Sequence, residues 1–247
     1  MKNPDTPPML QGASNFRDLG GYIGIGGRRM RLGLVYRSDH LAGLTPDDHR
    51  ALEPLRITHS LDFRGQAERA ALPSLLPGAV AVTLGIEPTM VVRVKALLAA
   101  GQIPSEAETV ALMAQTYRSF ARDAIPTYAR FFQHLIEQPT PVVFHCTAGK
   151  DRTGFAAALL LCALGADRDT VMADYLLTNQ LYRRSPLVHT DGPAHVVDVL
   201  WRVQPAFLDA AFDTVEREFG GMGRYLEGPM GLGPVAMARL HERLLED

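Results

Sequence analysis

Cys146 and Arg152 stand either side of five residues in His145-Cys146-Thr147-Ala148-Gly149-Lys150-Asp151-Arg152-Thr153-Gly154. An apolar stretch, Pro141-Val142-Val143-Phe144, leads into them, and an apolar segment of helical spacing follows as far as Gly165. A strand, a glycine-containing turn and a helix start in that order make an anion trap. The first N–H groups of a helix have no partner inside it, and the aligned peptide dipoles add partial positive charge there. A loop curled around an anion turns the backbone N–H groups of Thr147, Ala148, Gly149, Lys150, Asp151 and Arg152 inward, as a nest does. Gly149 eases the sharp turn this requires. Arg152 brings a planar fork that grips two phosphate oxygens together. The same field favours the thiolate form of a cysteine at the base of the loop, and a thiolate there is ready to attack phosphorus.

A bare Cys-x5-Arg is a weak pattern. With the preceding strand, the glycine, the Arg-Thr-Gly ending and the apolar helix it becomes specific. A buried structural cysteine fits poorly, because Lys150, Asp151 and Arg152 in succession are a poor core lining. A nucleotide-binding loop, Gly-x-x-x-x-Gly-Lys-Ser/Thr, does not fit either: Phe144 occupies the first glycine position and Asp151 follows Lys150.

The bulk composition leaves room for a core around such a loop. The chain has 247 residues, 47% of them hydrophobic, with 25 Lys+Arg against 27 Asp+Glu. A net charge of -2 gives no reason to expect nucleic acid as a partner, so attraction for anions must be local. Two cysteines, Cys146 and Cys162, make neither a disulfide framework nor a zinc site on their own. No stretch approaches the roughly 20 apolar residues of a membrane helix, and Met1 to Gln11 holds no signal-peptide core. A cytoplasmic protein without metal or cofactor is the expectation; its oligomeric state is left open.

The elements that must position the loop alternate in type. Asn15 to Gly27 followed by Leu32 to Arg37 suggests a hairpin. Thr45-Pro46-Asp47-Asp48 starts a helix that ends near Pro54. Ile57 to Phe63 and Ala79 to Leu84 are further strands. Helical spacing covers Pro88 to Ala100, Ser105 to Ala121 with a Ser105/Glu108 capping box, and Ile125 to Glu137. Beyond the loop, Asp169 to Leu181, Pro193 to Val203, Pro205 to Glu218 and Gly233 to Leu245 all read as helices. The expected fold is α/β, a single domain over residues 1–247 with a loose start up to residue 13. A central, mainly parallel twisted sheet is flanked by helices, and the helical second half packs onto it.

The loop closely resembles the His-Cys-x5-Arg-Ser/Thr signature of the protein tyrosine phosphatases. Its Gly-Lys-Asp-Arg ending is similar to the atypical bacterial group typified by PtpB. Further matching pieces are Asn15-Phe16-Arg17-Asp18-Leu19-Gly20-Gly21, Tyr36-Arg37-Ser38, Leu61-Asp62-Phe63-Arg64, Asp174-Tyr175-Leu176-Leu177-Thr178-Asn179 and Gly220-Gly221-Met222-Gly223-Arg224-Tyr225-Leu226. The resemblance therefore runs from about residue 14 to the end. It implies a hydrolase of phosphate monoesters working through a phosphocysteine, with phosphorylated proteins or phosphoinositides as substrates.

Ester cleavage by a thiolate needs a general acid for the leaving oxygen. Upstream, where the dual-specificity phosphatases carry an aspartate, Thr109 to Thr116 holds none, and Asp123 sits on a solvated helical face. Two candidates remain. The resemblance places the acid at Asp151, acting as base in the second step. Asp62 lies at a strand end, where open parallel sheets carry function, either positioning water or the loop or simply pairing with Arg64. Thr153 has a hydroxyl for the departing sulfur, or for a helix cap. His145 orients the loop by resemblance, or is a core histidine. Cys162 packs in its helix. Lys150 offers a second cation for substrates with more than one phosphate. Gly154 completes the binding loop, and Arg17 and Arg37 line the entrance or form surface ion pairs. Pro88 to Ala121 and Arg183 to Trp201 are both candidate covers. Arsenate reduction or sulfur transfer by the same loop, and a phosphate-recognition module without turnover, are the competing readings.

Overall fold

The computed structural model describes residues 8–87, 89–138, 141–188 and 192–247. Its strands are β1 (Arg17–Asp18), β2 (Val35–Ser38), β3 (His59–Asp62), β4 (Val80–Thr83) and β5 (Val142–His145). Across the sheet they run β1-β2-β5-β3-β4, with β1 antiparallel to β2 and every other neighbour parallel. The most buried strand takes the centre: Val142, Val143, Phe144 and His145 are all enclosed, as a strand covered on both faces must be. Registers Ser38↔His145 and Asp62↔His145 bring the carboxyl ends of β2, β5 and β3 level. In an open parallel sheet this is the edge where ligands bind.

Eleven helices are described: α1 (Pro46–Leu52), α2 (Gln66–Ala71), α3 (Thr89–Ala99), α4 (Glu106–Asp123), α5 (Ile125–Glu137), α6 (Arg152–Ala163), α7 (Arg168–Leu181), α8 (Ala194–Trp201), α9 (Pro205–Phe219), α10 (Met222–Glu227) and α11 (Pro234–Leu244). Local chemistry explains their starts. Thr45 and Ser105 each cap a helix and receive a reciprocal bond from Asp48 and Glu108. The stop at Gly165 has φ +82°, a conformation glycine adopts at least cost. α5 buries Tyr128, Phe131, Phe132 and Leu135, the 3–4 spacing of one face. α6 is apolar almost all round and is enclosed along nearly its whole length, which makes it the central helix.

The two faces of the sheet are unequally covered. Val142 and Phe144 point into the large core with α4, α5, α6 and α9, whereas Tyr36 and Val143 meet a smaller cluster with Leu10, Leu41 and Leu52. Phe63, Tyr128, Phe131, Phe144 and Phe155 stack edge to face or tilted behind the β5–α6 junction. Contacts of this type add about 0.5–1.5 kcal/mol each beyond the area they bury, so the base of the loop rests on a stiff support. No helix among the described residues is long and apolar enough to cross a membrane.

The expected hairpin, mainly parallel sheet and single α/β domain are present. Several bounds differ. The strand expected from Leu32 begins at Val35, because Gly33 turns the chain at φ +77° and donates its N–H to Asp18 at 2.6 Å. α1 gives way to a 3-10 turn at Glu53–Leu55. The two six-residue helices α2 and α10 are too short for a periodic signal. The start is less loose than expected: Leu10 and Ala13 are buried, and the N–H groups of Gln11 and Gly12 bind the Asp48 carboxylate. Residues 1–7 of that segment, and Pro88 of the expected third helical stretch, lie outside the described residues.

Candidate active site

Cys146 ends the central strand and Arg152 opens the central helix, so the loop between them sits where β5 meets α6. Its carbonyl oxygens are tied to the surrounding protein. Thr147 O accepts from the His40 N–H at 3.2 Å, and Arg152 O from the Tyr128 hydroxyl at 3.2 Å. Gly149 O accepts from Asn15 Nδ2 and from Arg37, both at 2.8 Å. Gly149 has φ +63°, and a Cβ there would collide with the Ser38 carbonyl, so both conformation and space call for glycine. Among the described residues, no group accepts a hydrogen bond from the amides of Thr147 to Arg152. Buried amides are almost always paired. A run of them without partners around a cysteine is a cradle for an anion.

Arg152 is buried, and one terminal nitrogen lies 3.4 Å from the Thr147 hydroxyl of the loop. Its terminal nitrogens meet Glu68 of α2 at 2.6 and 2.8 Å, and one also donates to Ile86 O at 3.0 Å. Glu68 in turn accepts from the Thr147 hydroxyl and from Gly65 N at 2.8 Å. Burial pushes the Glu68 carboxyl up, but the hydrogen bonds and charge of Arg152, together with the Thr147 hydroxyl and the Gly65 N–H, outweigh it and hold the group below its ordinary value. Burial likewise works against the Arg152 charge, and Glu68 and Cys146 together hold it well above its usual value. The guanidinium is thus pre-oriented as a fork.

Asp151 lies between two donors. Lys150 Nζ and the Tyr117 hydroxyl both reach Oδ1 at 2.9 Å, and the Tyr175 hydroxyl donates to that of Tyr117 at 2.6 Å. Its Oδ2 accepts nothing among the described residues. Asp62 is different. Both of its oxygens are held by Arg64, at 2.7 to 3.1 Å, and His145 Nδ1 lies 3.8 Å away. Burial raises the Asp62 carboxyl, yet His145 and Arg64 more than reverse this and keep it ionised. It therefore shapes the turn after β3. His145 is enclosed, and desolvation lowers it to about 4, so it is neutral.

Several sequence-based expectations need correction. Arg17 and Arg37 line no entrance. They are buried behind the loop and share Asp174 of α7, at 2.9 and 2.7 Å. Gly154 also lies behind the loop, packed against Tyr175 and Arg37. Lys150 is 2% exposed, neither a surface lysine nor a free cation. Thr153 Oγ1 is buried and, among the described residues, makes no hydrogen bond to Cys146 Sγ or to any other group; it is not the helix cap. Cys162 is half-buried in α6, and desolvation pushes its thiol up to about 11, which suits packing and not a redox partner. Of the two expected covers, Pro88 to Ala121 touches the loop, α4 reaching Asp151 through Tyr117; Arg202, one residue past the end of the second, has its carbonyl 3.4 Å from Lys150 Nζ. Residues 189–191 of the second cover lie outside the described residues.

Sequence reasoning missed Glu68, Tyr117 and the role of Asp174. Only the Gly65-x-x-Glu68 spacing hinted at a helix start there.

The chain matches the tyrosine phosphatase family over residues 8–246. It is 35% identical to a Cupriavidus necator protein named as a tyrosine-protein phosphatase, across 92% of this chain and 85% of that one. It is 30% identical to the triple specificity protein phosphatase PtpB of Mycobacterium tuberculosis, across 96% and 98%. The solved structure of P. aeruginosa TpbA aligns with 87% of this chain and 99% of that one, at 14% identity and a TM-score of 0.31.

Proposed function

This chain belongs to the tyrosine phosphatase family, and on that basis we propose that it hydrolyses phosphate monoesters through a phosphocysteine on Cys146. The observation that carries this reading is the ring of unpartnered amides from Thr147 to Arg152 around the cysteine. Phosphotyrosine is the first substrate. Phosphoserine, phosphothreonine and phosphoinositides follow, in keeping with the triple specificity named for the mycobacterial relative.

In the first step Cys146 Sγ attacks phosphorus, forming the S–P bond as the P–O ester bond breaks. The amides and Arg152 hold the three equatorial oxygens, where charge is spread in the transition state. The leaving oxygen takes a proton from Asp151 Oδ2. In the second step Asp151 accepts a proton from water, the water oxygen attacks phosphorus, and the S–P bond breaks to return the thiolate. Tyr117 and Lys150 hold the other carboxylate oxygen and so fix which one works. A free thiol of this kind suits a reducing compartment such as the cytoplasm.

Asp151→Asn is expected to lower kcat by about 10²-fold on alkyl phosphates and far less on p-nitrophenyl phosphate, whose leaving group needs no proton. Equal losses on both classes, or none on poor leaving groups, would remove Asp151 from this role.

Lys150 holds Asp151 in the resting enzyme, and its ammonium would have to leave that carboxylate to meet a second phosphate. In a panel of phosphotyrosine peptides and inositol lipids, Lys150→Ala should lose about tenfold more kcat/KM on multiply phosphorylated inositol lipids than on peptides. A uniform loss across the panel would assign Lys150 to Asp151 alone.

A further inference from the structure

Behind the loop lies a charge cluster that the chemistry above leaves unused. Arg17 of β1 donates through Nε to Asp174 Oδ1 at 2.9 Å and through a terminal nitrogen to the Asp174 carbonyl at 2.9 Å. Arg37 of β2 donates to Asp174 Oδ2 at 2.7 Å and to Gly149 O at 2.8 Å, while its buried Nε has no partner among the described residues. The side chains of Arg37 and Asp174 are 0% and 1% exposed. Two guanidinium groups thus share one carboxylate away from water.

The other charges around the loop pair one to one: Arg152 with Glu68, Lys150 with Asp151, and Arg64 with Asp62. Asp39, at the end of β2, is raised to about 7 by burial and is attracted by Arg183. Arg184 lies over the Trp201 ring. The remaining titratable groups facing Cys146 carry no charge at neutral pH. Burial raises Tyr128 of α5 and Tyr182 of α7, and it lowers His145 and His40. Among the described ion pairs around the loop, the Arg17–Asp174–Arg37 cluster sets two cations against one carboxylate, and so carries one positive charge in excess.

A buried cation without a counter-charge is costly. Burial and the neighbouring Arg17 push Arg37 down to about 10, and the pull of Asp174 and Cys146 opposes them. Arg37 thus stays charged at neutral pH. The strand register explains its position. Arg37 pairs with Phe144, two residues before Cys146, and a Cβ on Gly154 would come within 3.6 Å of its guanidinium. It lies under the first turn of α6, where its charge adds to that of the helix start.

We propose that the surplus charge of this triad is the standing counter-charge of the Cys146 thiolate, so that Arg37 and Asp174 set the nucleophile's ionisation in opposite directions. Both are positioning residues, acting through Cys146 and Gly149 without touching substrate. The proposal rests on Cys146 being the nucleophile.

The test reads the thiol itself, not turnover. Alkylation of Cys146 by iodoacetamide is followed against pH in the ligand-free protein, with the modified peptide quantified by mass spectrometry. Arg37→Gln should move the midpoint of the profile up by about one unit, and Asp174→Asn should move it down by about half a unit or more. Loss of loop shape alone would move both variants the same way, so shifts of one sign, or no shift in Arg37→Gln, would overturn the proposal. Should Asp174→Asn fail to fold, Arg37→Lys decides. It keeps the charge while breaking the two-way grip, and its midpoint should stay within a few tenths of a unit of the parent; a rise equal to that of Arg37→Gln would overturn the proposal. A parent that hydrolyses no phosphate ester would defeat the phosphatase reading, whereas these shifts would be unaffected.

Discussion

Cys146→Ser is expected to reduce hydrolysis of p-nitrophenyl phosphate by at least about 10⁴-fold, while inorganic phosphate or vanadate still binds. The two halves of this result have separate physical origins. Binding depends on the amides of Thr147 to Arg152 and on the Arg152 fork, and the substitution touches neither. Turnover depends on the atom at the base of the ring. A serine hydroxyl there stays protonated and is a poor nucleophile, and among the described residues His145 Nδ1 and Nε2 make no hydrogen bond that would draw its proton away. Titration calorimetry with phosphate beside a stopped assay separates the two. If the serine variant turned over within tenfold of the parent, the phosphocysteine route would be untenable. Loss of both binding and turnover would mean that the sulfur shapes the loop.

The second large effect is at Arg152. Arg152→Lys should lower kcat/KM by about 10³-fold, although the positive charge is kept. The reason is geometric. Arg152 holds Glu68 through two nitrogens and the Ile86 carbonyl through one, which fixes the plane of the guanidinium. An ammonium at that position is a single point charge. It cannot hold Glu68 and two phosphate oxygens at once, and the charge developing on the equatorial oxygens is left short of a donor. The thermal midpoint should fall by only a few degrees, because lysine still satisfies Glu68 as a counter-charge. A lysine variant with near-parental kcat would show that net charge suffices and that the fork has no special part.

The arrangement around these two residues explains why the chain spends charged groups in its interior. Asn15, Arg37 and His40 each hold a loop carbonyl from outside. Turning the carbonyls outward leaves the amides without protein partners, a cost that a bound phosphate removes. The stiff aromatic layer behind β5 and α6 keeps the loop from relaxing to satisfy them otherwise. Preorganisation of this kind is how an enzyme makes donors available in the transition state without rearrangement.

What the amino-acid sequence determines by itself is the local chemistry. Cys146 and Arg152, the Gly149 turn, the capping boxes at Thr45 and Ser105, and the span of α5 are all legible because the groups involved lie within a few residues of one another. Hydrogen bonds across a turn and the 3–4 spacing of a helix face leave their mark on short stretches of chain.

The partners of those groups were decided only by the tertiary structure. Glu68 lies 84 positions from Arg152, Tyr117 lies 34 from Asp151, and Asp174 lies 137 from Arg37. Which carboxylate meets which cation across such distances depends on strand order and register, with β5 inserted between β2 and β3. That order is set by burial of Val142 and Phe144 against one core and Val143 against the other. It also turned Arg17 and Arg37 inward. Burial energy is spread over the whole sheet and both cores, so no short motif records it, and a charged residue's role changes with the side of the loop on which the sheet places it.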